Sequence, residues 1–210
     1  PFGFKNDFLT HDMIVDDKLG LLASLTNESY LKQLNVSSKD EFDKLPLFKK
    51  LSNIYFQISI KAKLNLVGLT YTDDENAVSI TKEEYNKLFP TIKDPEYKVY
   101  SESKLQNIIA RIEHERWNTF HILQGFTPLE LTDYSFDRKK IHQDEANKKH
   151  GCLTTYEDLD KVHKRILEVN KENGVQKTLE EIETYKYDFN LVADIYDNLT
   201  SIGYKIIVKK

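Results

Sequence analysis

Apolar residues recur at intervals of three and four along most of this 210-residue chain, and few residues interrupt them. The clearest stretch runs from Pro46 to Gly68, where these side chains fall on one helical stripe: Leu47, Leu51, Ile54, Ile58, Ala62 and Leu66. Pro suits the first turn of a helix and Gly the position after the last, so both predicted ends are marked. With 7 Gly and 5 Pro in the whole chain, long helices are favoured over tight turns. The predicted fold class is mostly α, a multi-helix protein with a few short β-strands.

Further segments carry the same periodicity and are predicted as helices: 16–34, 81–89, 101–125, 154–170 and 179–202. Ser101 or Ser103 is expected to begin the third of these, and Thr154 or Thr155 to cap the fourth. Gly203 is expected to end the last helix.

The two halves of the chain are organised differently, which predicts two parts. Residues 1–100 form an N-terminal helical subdomain, and residues 101–210 form a second part that holds the residues of chemical interest. Within the second part, residues 127–155 look irregular and residues 204–210 are expected to form a short strand. The chain opens at "PFGF" without an initiator Met, which suggests a piece of a longer protein.

Charge, cysteine content and hydropathy narrow the range of partners. A net charge of −4 argues against binding along a nucleic-acid backbone. The single Cys152 rules out an internal disulfide and fits a reducing compartment, so a cytoplasmic location is expected. No stretch approaches 18 apolar residues, so no membrane segment is predicted.

The stretch "IARIEHERWNTFHILQGF", residues 109–126, concentrates polar and aromatic side chains on one predicted helix. At 100° per residue, these side chains share an expected core face: Leu105, Ile108, Ile109, Ile112, Thr119, Phe120 and Leu123. Arg116 falls in the middle of that face, where its guanidinium needs an anionic partner. The partner is either a carboxylate, for example on the C-terminal helix, or a ligand anion.

A second stripe of the same helix contains His114, Trp117 and His121, with Glu113 at its edge, and is expected to face the surface. An indole beside two imidazoles and a carboxylate can stack on a flat ring and hydrogen-bond to its rim. The alternative is that Trp117 packs beneath residues 127–155 and that the histidines have structural partners.

Metal binding by this helix fails on spacing. A zinc-protease helix needs His-Glu-x-x-His, but "HERWN" places Asn118 at the second ligand position. His114 and His121 are two turns apart, about 10 Å along the axis. His142 and His150 could join a site by folding back, although nothing in their spacing requires it. No metal site is predicted.

Nucleophilic catalysis has little support either. Cys152 follows His150 in "KKHGCLTTY", where basic neighbours could lower a thiol pKa, but no cysteine-hydrolase signature surrounds it. The chain also lacks a Gly-rich phosphate-binding loop. No catalytic residue is predicted.

Several short motifs occur in a distinctive order, and together they resemble the ryanodine-receptor (RyR) repeat. They are Ile109-Ala110, His114-Glu115-x-Trp117, Gly125-Phe126, Lys148-x-His150-x-x-Leu153, Tyr156-x-x-Leu159 and Gly203-Tyr204. Phe126 replaces the Trp usual in the family, and residues 167–186 include an insertion. The helix over 47–66 is similar to the segment that precedes the repeat in bacterial RyR-domain proteins, which often carry a nucleotide-binding Rossmann domain upstream.

The resemblance implies a non-enzymatic sensor domain of bacterial defence or stress signalling that binds a nucleotide-derived small molecule, adenine-nucleotide-like, with no cofactor. The expected ligand-binding residues are Glu113, His114, Arg116, Trp117, His121, Phe126, Lys148, His150 and Tyr156. Trp117 would stack on the base, Glu113, Glu115 or His114 would contact its edge, and Lys148, Lys149, His150 or Arg138 would meet phosphate.

Two other functions stay open on the sequence alone. The helices could form an assembly module that docks onto other domains of the parent chain or onto a second copy. Alternatively, His114 and Glu115, with His150, could act in a hydrolase.

Overall fold

The computed structural model describes residues 18–33, 41–89 and 105–209. Its elements in chain order are α1 (Lys18–Gln33), α2 (Glu41–Lys44), α3 (Leu47–Leu66), β1 (Leu69–Thr72), α4 (Lys82–Leu88), α5 (Leu105–Leu123), β2 (Thr127–Pro128), β3 (Gln143–Asp144), β4 (Lys149–His150), α6 (Leu159–Glu172), α7 (Leu179–Ile182), α8 (Tyr185–Ala193), α9 (Ile195–Ser201) and β5 (Lys205–Val208). Helices dominate and the strands are short, which confirms the mostly α fold class. None of the described helices is long and apolar enough to cross a membrane.

The chain divides into two compact units, one made of residues 1–91 with 189–210 and the other of residues 92–188. This division differs from the predicted halves, 1–100 and 101–210, because the C-terminal segment belongs to the first unit. Strand β5 pairs with β1, and α9 packs on α1, so residues 189–210 complete the first unit. The boundary between the units falls inside α8.

The first unit is built on the packing of α1 against α3, closed by a two-stranded antiparallel sheet. The sheet register pairs Leu69 with Val208 and Thr72 with Lys205. Side chains from all of these elements are buried, including Leu22, Phe56, Ile60, Leu64, Leu69, Leu199 and Ile206. Strand β1 was not predicted, since four residues between a glycine and a polar loop give too short a pattern.

Helix α3 has the predicted ends but buries the opposite face. It begins after Pro46 and is followed by Gly68, whose φ of +73° is the left-handed conformation that glycine favours. The buried side chains are Phe56, Ile60 and Leu64, whereas the ends of the predicted stripe, Leu47 and Leu66, are exposed. The helix is apolar on both faces, so periodicity alone does not select the one that packs on α1.

Other helix ends agree with the sequence only in part. Thr81 caps α4 in a capping box with Glu84, at the start of the segment predicted as a helix over 81–89. Helix α6 starts later than its predicted cap, because a turn in which Asp158 N–H donates to the Thr155 carbonyl precedes it. The helix predicted over 179–202 is three shorter helices, α7 to α9. The predicted starts at Ser101 or Ser103 lie outside the described residues.

The second unit combines α5 and α6 with a small sheet in the order β2-β4-β3. Strand β2 runs parallel to β4, and β3 runs antiparallel to it with Gln143 opposite His150. Each strand has two residues, so the segment predicted as irregular is mostly turns held by a few ladder bonds. Helix α7 packs on α6.

Tyr85 offers a test of the first unit. Its side chain is fully buried, and its hydroxyl donates to the Val192 carbonyl at 2.7 Å. Tyr85→Phe leaves that buried carbonyl without its donor, so we expect a loss of about 1–3 kcal/mol in the free energy of unfolding, measured in urea. Tyr196→Phe is the matched control: its hydroxyl donates to the Ile80 carbonyl from a half-buried position, where water can replace it. Equal losses in the two variants would contradict the assignment.

Candidate functional site

Helix α5 buries the face that carries its histidines. Its buried side chains include Ile109, Ala110, Glu113, His114, Phe120 and His121. Ile108 and Leu123, expected in the core, are exposed, so the predicted core face is wrong in part. The stripe expected at the surface faces inward instead, because polar groups elsewhere in the second unit form hydrogen bonds with its polar side chains.

His114 has partners at both ring nitrogens. Its Nε2–H donates to the Thr154 carbonyl at 3.0 Å, and the Asn118 amide donates to the same oxygen at 2.7 Å. Its Nδ1 lies 3.5 Å from a carboxylate oxygen of Asp188. Burial lowers the pKa of His114, but the hydrogen bond and charge of Asp188 outweigh it, so the pKa lies above its usual value. His114 therefore has a structural position between a backbone carbonyl and the half-buried carboxyl group of Asp188.

Arg116 pairs with Glu113, one turn earlier on the same helix. Arg116 Nε donates to one carboxylate oxygen at 2.9 Å, and Nη2 donates to the other at 2.7 Å. The side chains are 11% and 2% exposed, so the pair is withdrawn from water. The Arg116 guanidinium thus has the anionic partner that the sequence requires, but this partner, Glu113, lies on α5 and not on the C-terminal helix. Contact of either group with a ligand would require this buried pair to open.

Trp117 is half-exposed and lies among three imidazoles. The His121 ring is 3.9 Å away between centroids and tilted by 36°, and the His150 ring meets it edge-on at 4.9 Å. The His114 ring lies 6.2 Å away and nearly parallel, at 19°. His121 is held in place because its Nδ1–H donates to the Trp117 carbonyl at 2.9 Å.

Two further predicted residues complete this group. Phe126 meets the His121 ring edge-on at 5.3 Å, and Tyr156 meets the His114 ring in the same way at 5.3 Å. Both side chains are buried. The structure thus brings six of the predicted site residues into one aromatic cluster: His114, Trp117, His121, Phe126, His150 and Tyr156.

The basic residues predicted to meet phosphate are only partly available. Arg138 donates to the Asp133 carbonyl and lies 3.5 Å from the Asp144 carboxylate. Lys148 is exposed, and its ammonium donates to the Gln124 carbonyl at 3.0 Å. Lys149 is half-buried on β4, next to His150.

No protein-family model, curated protein or solved structure matches the chain. The likeness to the RyR repeat therefore stays a prediction that depends on the motifs in the sequence.

Sequence reasoning missed the groups that orient the histidines. Gln143 and Cys152 lie on either side of His150: Cys152 N–H donates to its Nδ1 at 3.0 Å, and the Gln143 amide group faces its Nε2. Thr184 N–H donates to His163 Nε2 at 3.1 Å. No sequence pattern could have shown the Thr154 carbonyl or Thr184 N–H, because backbone groups carry no residue signature.

The buried ion pair of α5 should be costly to break. Arg116→Ala leaves the Glu113 carboxylate buried without its partner, so we expect a loss of about 3–5 kcal/mol in the free energy of unfolding. Arg111→Ala is the matched control on the same helix, because Arg111 pairs with the half-exposed Glu157. That change should cost less than about 1 kcal/mol. Urea titration at constant pH measures both, and similar losses would count against a buried pair.

His163 should make the protein sensitive to acid. Burial lowers its pKa from 6.5 to about 4, so the unfolded chain takes up a proton in this interval that the folded chain does not. Its contribution is complete above pH 6.5 and is lost as the pH falls towards 4. His163→Gln keeps an acceptor for Thr184 N–H but cannot titrate. Between pH 6.5 and 4, the free energy of unfolding should change less steeply with pH in His163→Gln than in the unaltered chain. The difference should be up to about 1.4 kcal/mol per pH unit. An unchanged slope in urea titrations between pH 7 and 4 would refute this.

Proposed function

We propose that the second unit binds a flat, nucleotide-derived small molecule without changing it chemically, and that Trp117 is the stacking surface. The observation that carries the proposal is the half-exposure of Trp117 within an otherwise buried aromatic cluster. An indole that keeps one part open to solvent, while its neighbours are fixed, can accept a planar ring at little cost in conformational entropy.

The surroundings of Trp117 favour a preformed binding surface. His121 and His150 contact the indole and are themselves hydrogen-bonded. Burial lowers the pKa of His150 well below its usual value, so its ring is neutral at pH 7 and does not repel a cationic or polar base. Rings held in this way lose little freedom when a ligand arrives.

Phosphate recognition would come from the two lysines that lead into His150. Lys148 is exposed and Lys149 half-buried, and the two directly precede His150 of the cluster in the chain. Glu113 and Arg116 neutralise one another in a buried pair, and Arg138 is engaged with Asp144. The proposed ligand contacts are therefore Trp117, Lys148 and Lys149, and the remaining predicted residues support Trp117 from within.

An assembly module is the second candidate, because α5 exposes apolar side chains. Ile108, Ile122 and Leu123 are 45%, 57% and 76% exposed. A second copy of the chain or another domain of a parent protein could cover them. The hydrolase alternative has no such support: both nitrogens of His114 are engaged within the protein, and Glu115 is exposed.

Trp117 is the only tryptophan of the chain, so its fluorescence reports directly on the proposed site. We expect one member of a panel of adenine nucleotides, cyclic nucleotides and ADP-ribose to raise the melting temperature and to change this fluorescence. Trp117→Leu should weaken that binding by about 5- to 150-fold, the equivalent of a stacking contact worth about 1–3 kcal/mol. Trp117→Phe should retain part of the affinity.

Lys149→Gln is the companion variant. It should weaken binding of the phosphorylated ligand but leave binding of the corresponding nucleoside unchanged. Calorimetry measures both. No response to any member of the panel, alongside a dimer that forms with rising concentration and is lost in Leu123→Lys, would replace this proposal with the assembly function.

A further inference from the structure

A second group of chemically active side chains lies next to the aromatic cluster. His142, His150 and Cys152 each offer one ligand atom, and these atoms all lie within 4.8 Å of one another. His150 and Cys152 are buried and His142 is half-buried. These three residues form the His-His-Cys group.

The hairpin register explains why the three residues converge. Strands β3 and β4 are antiparallel with Gln143 opposite His150, so His142 lies across from the turn that follows β4. Gly151 N–H donates to the His142 carbonyl at 2.7 Å and fixes that alignment. A Cβ at Gly151 would overlap the Tyr134 hydroxyl and come within 3.2 Å of His142 Cβ. Because Gly151, between His150 and Cys152, has no side chain, the turn can pack closely against Tyr134 and His142.

The hydrogen bonds of His150 leave one nitrogen directed at Cys152. Cys152 N–H donates to Nδ1, so the neutral ring carries its proton on Nε2. The Gln143 side-chain amide faces that Nε2, and a half-turn about its last bond presents its oxygen as the acceptor. In metal-bound histidine an outer group usually accepts from one imidazole nitrogen while the other nitrogen binds the ion, so a cation at His150 Nδ1 would take over the lone pair that now accepts from Cys152 N–H.

Two polar atoms at this group lack strong partners among the residues that the structure describes. There the Cys152 sulfur has a long contact of 4.0 Å with the Thr184 hydroxyl. The Tyr134 hydroxyl is buried and makes no hydrogen bond to any part of the chain that the structure describes. Tyr134 is 6% exposed, and its hydroxyl lies against Gly151, between the two ligand residues. An unsatisfied buried phenol next to the glycine that joins His150 to Cys152 is a polar group that a bound ion, or a water on that ion, would satisfy.

We propose that His142, His150 and Cys152 bind a thiophilic divalent cation, and that zinc is the ion this donor set fits best. Two imidazoles and a thiolate supply three zinc ligands, and the fourth position falls to water or to the Tyr134 phenol. Tetrahedral zinc holds such ligand atoms about 3.3–3.6 Å apart, so shifts of about 1 Å would complete the site.

Cation binding at this group requires both imidazoles to be neutral and the Cys152 thiol to give up its proton. Binding forms one metal–sulfur and two metal–nitrogen bonds, displaces water ligands from the hydrated cation, and releases the thiol proton to solvent. The zinc proposal is argued from other observations than the nucleotide proposal, although His150 belongs to both groups.

Cobalt(II) tests the proposal directly, because thiolate ligation and tetrahedral geometry both have optical signatures. The full chain, treated with a chelator and kept reduced, is titrated with Co²⁺. We expect one equivalent to produce visible ligand-field bands and a near-ultraviolet thiolate-to-cobalt band, and Zn²⁺ to displace both. Quenching of Trp117, 4.9 Å from His150, should follow the same curve.

Variants separate a site from adventitious binding. Cys152→Ser should abolish the charge-transfer band, His142→Gln should weaken Co²⁺ binding by at least about 100-fold, and Gln143→Ala by about 10-fold. His163→Gln, which alters another buried histidine of the same unit, should bind as the unaltered chain does. Trp117→Phe should keep the cobalt spectrum, which distinguishes this site from the nucleotide proposal.

A second readout covers variants that fold poorly. Zinc should raise the melting temperature of the unaltered chain and leave that of Cys152→Ala unchanged, while the two metal-free proteins melt within a few degrees of one another. The absence of the near-ultraviolet band from the unaltered chain would overturn the proposal. So would equal stabilisation of Cys152→Ala by zinc.

Discussion

The carbonyl oxygen of Thr154 accepts hydrogen bonds from two side chains of α5, the imidazole of His114 and the amide of Asn118. The second unit depends on this point of attachment, because it turns a polar helix face inward. Once that face is buried, Glu113 must be neutralised, and Arg116 does so from one turn away. The same rotation places Trp117 beside His150 and leaves apolar Ile108 and Leu123 in solvent. A helix that buried its aliphatic residues instead would lose the contacts of His114 and Asn118 with the Thr154 carbonyl and of Trp117 with His150.

Helix positions followed from the sequence more readily than helix orientation did. Pro46, Gly68 and Thr81 mark their helix ends by local chemistry, and the structure has those ends. Orientation is a tertiary property. Helix α3 is apolar on both sides, and contacts such as the Gln57 amide with the Thr26 hydroxyl accompany the side that packs. For α5 the inward face is chosen by a backbone carbonyl 40 residues away, which no periodicity can reveal.

The candidate site likewise has one part that the sequence predicts and another part that only the tertiary structure determines. His114, Trp117 and His121 share a stripe because helix geometry fixes it, and the motif resemblance added Phe126, His150 and Tyr156, which the structure brings to that stripe. The approach of His142 to Cys152 depends on a hairpin register set by two-residue strands. Spacing rules for zinc helices do not describe that arrangement. His150 lies in both groups, so an occupant of either one would alter the free energy of binding at the other, and the effect would be reciprocal.

The pairing of β1 with β5 has a consequence for synthesis. Residues 92–188 form a contiguous unit that lies, along the chain, between the two strands of the other unit's sheet. A ribosome therefore completes the second unit while β1 still has no partner. Until β5 emerges, the edge of β1 exposes unpaired N–H and carbonyl groups next to the apolar side chain of Leu69. The first unit can therefore close only after β5 has been synthesised, which lengthens its exposure to aggregation.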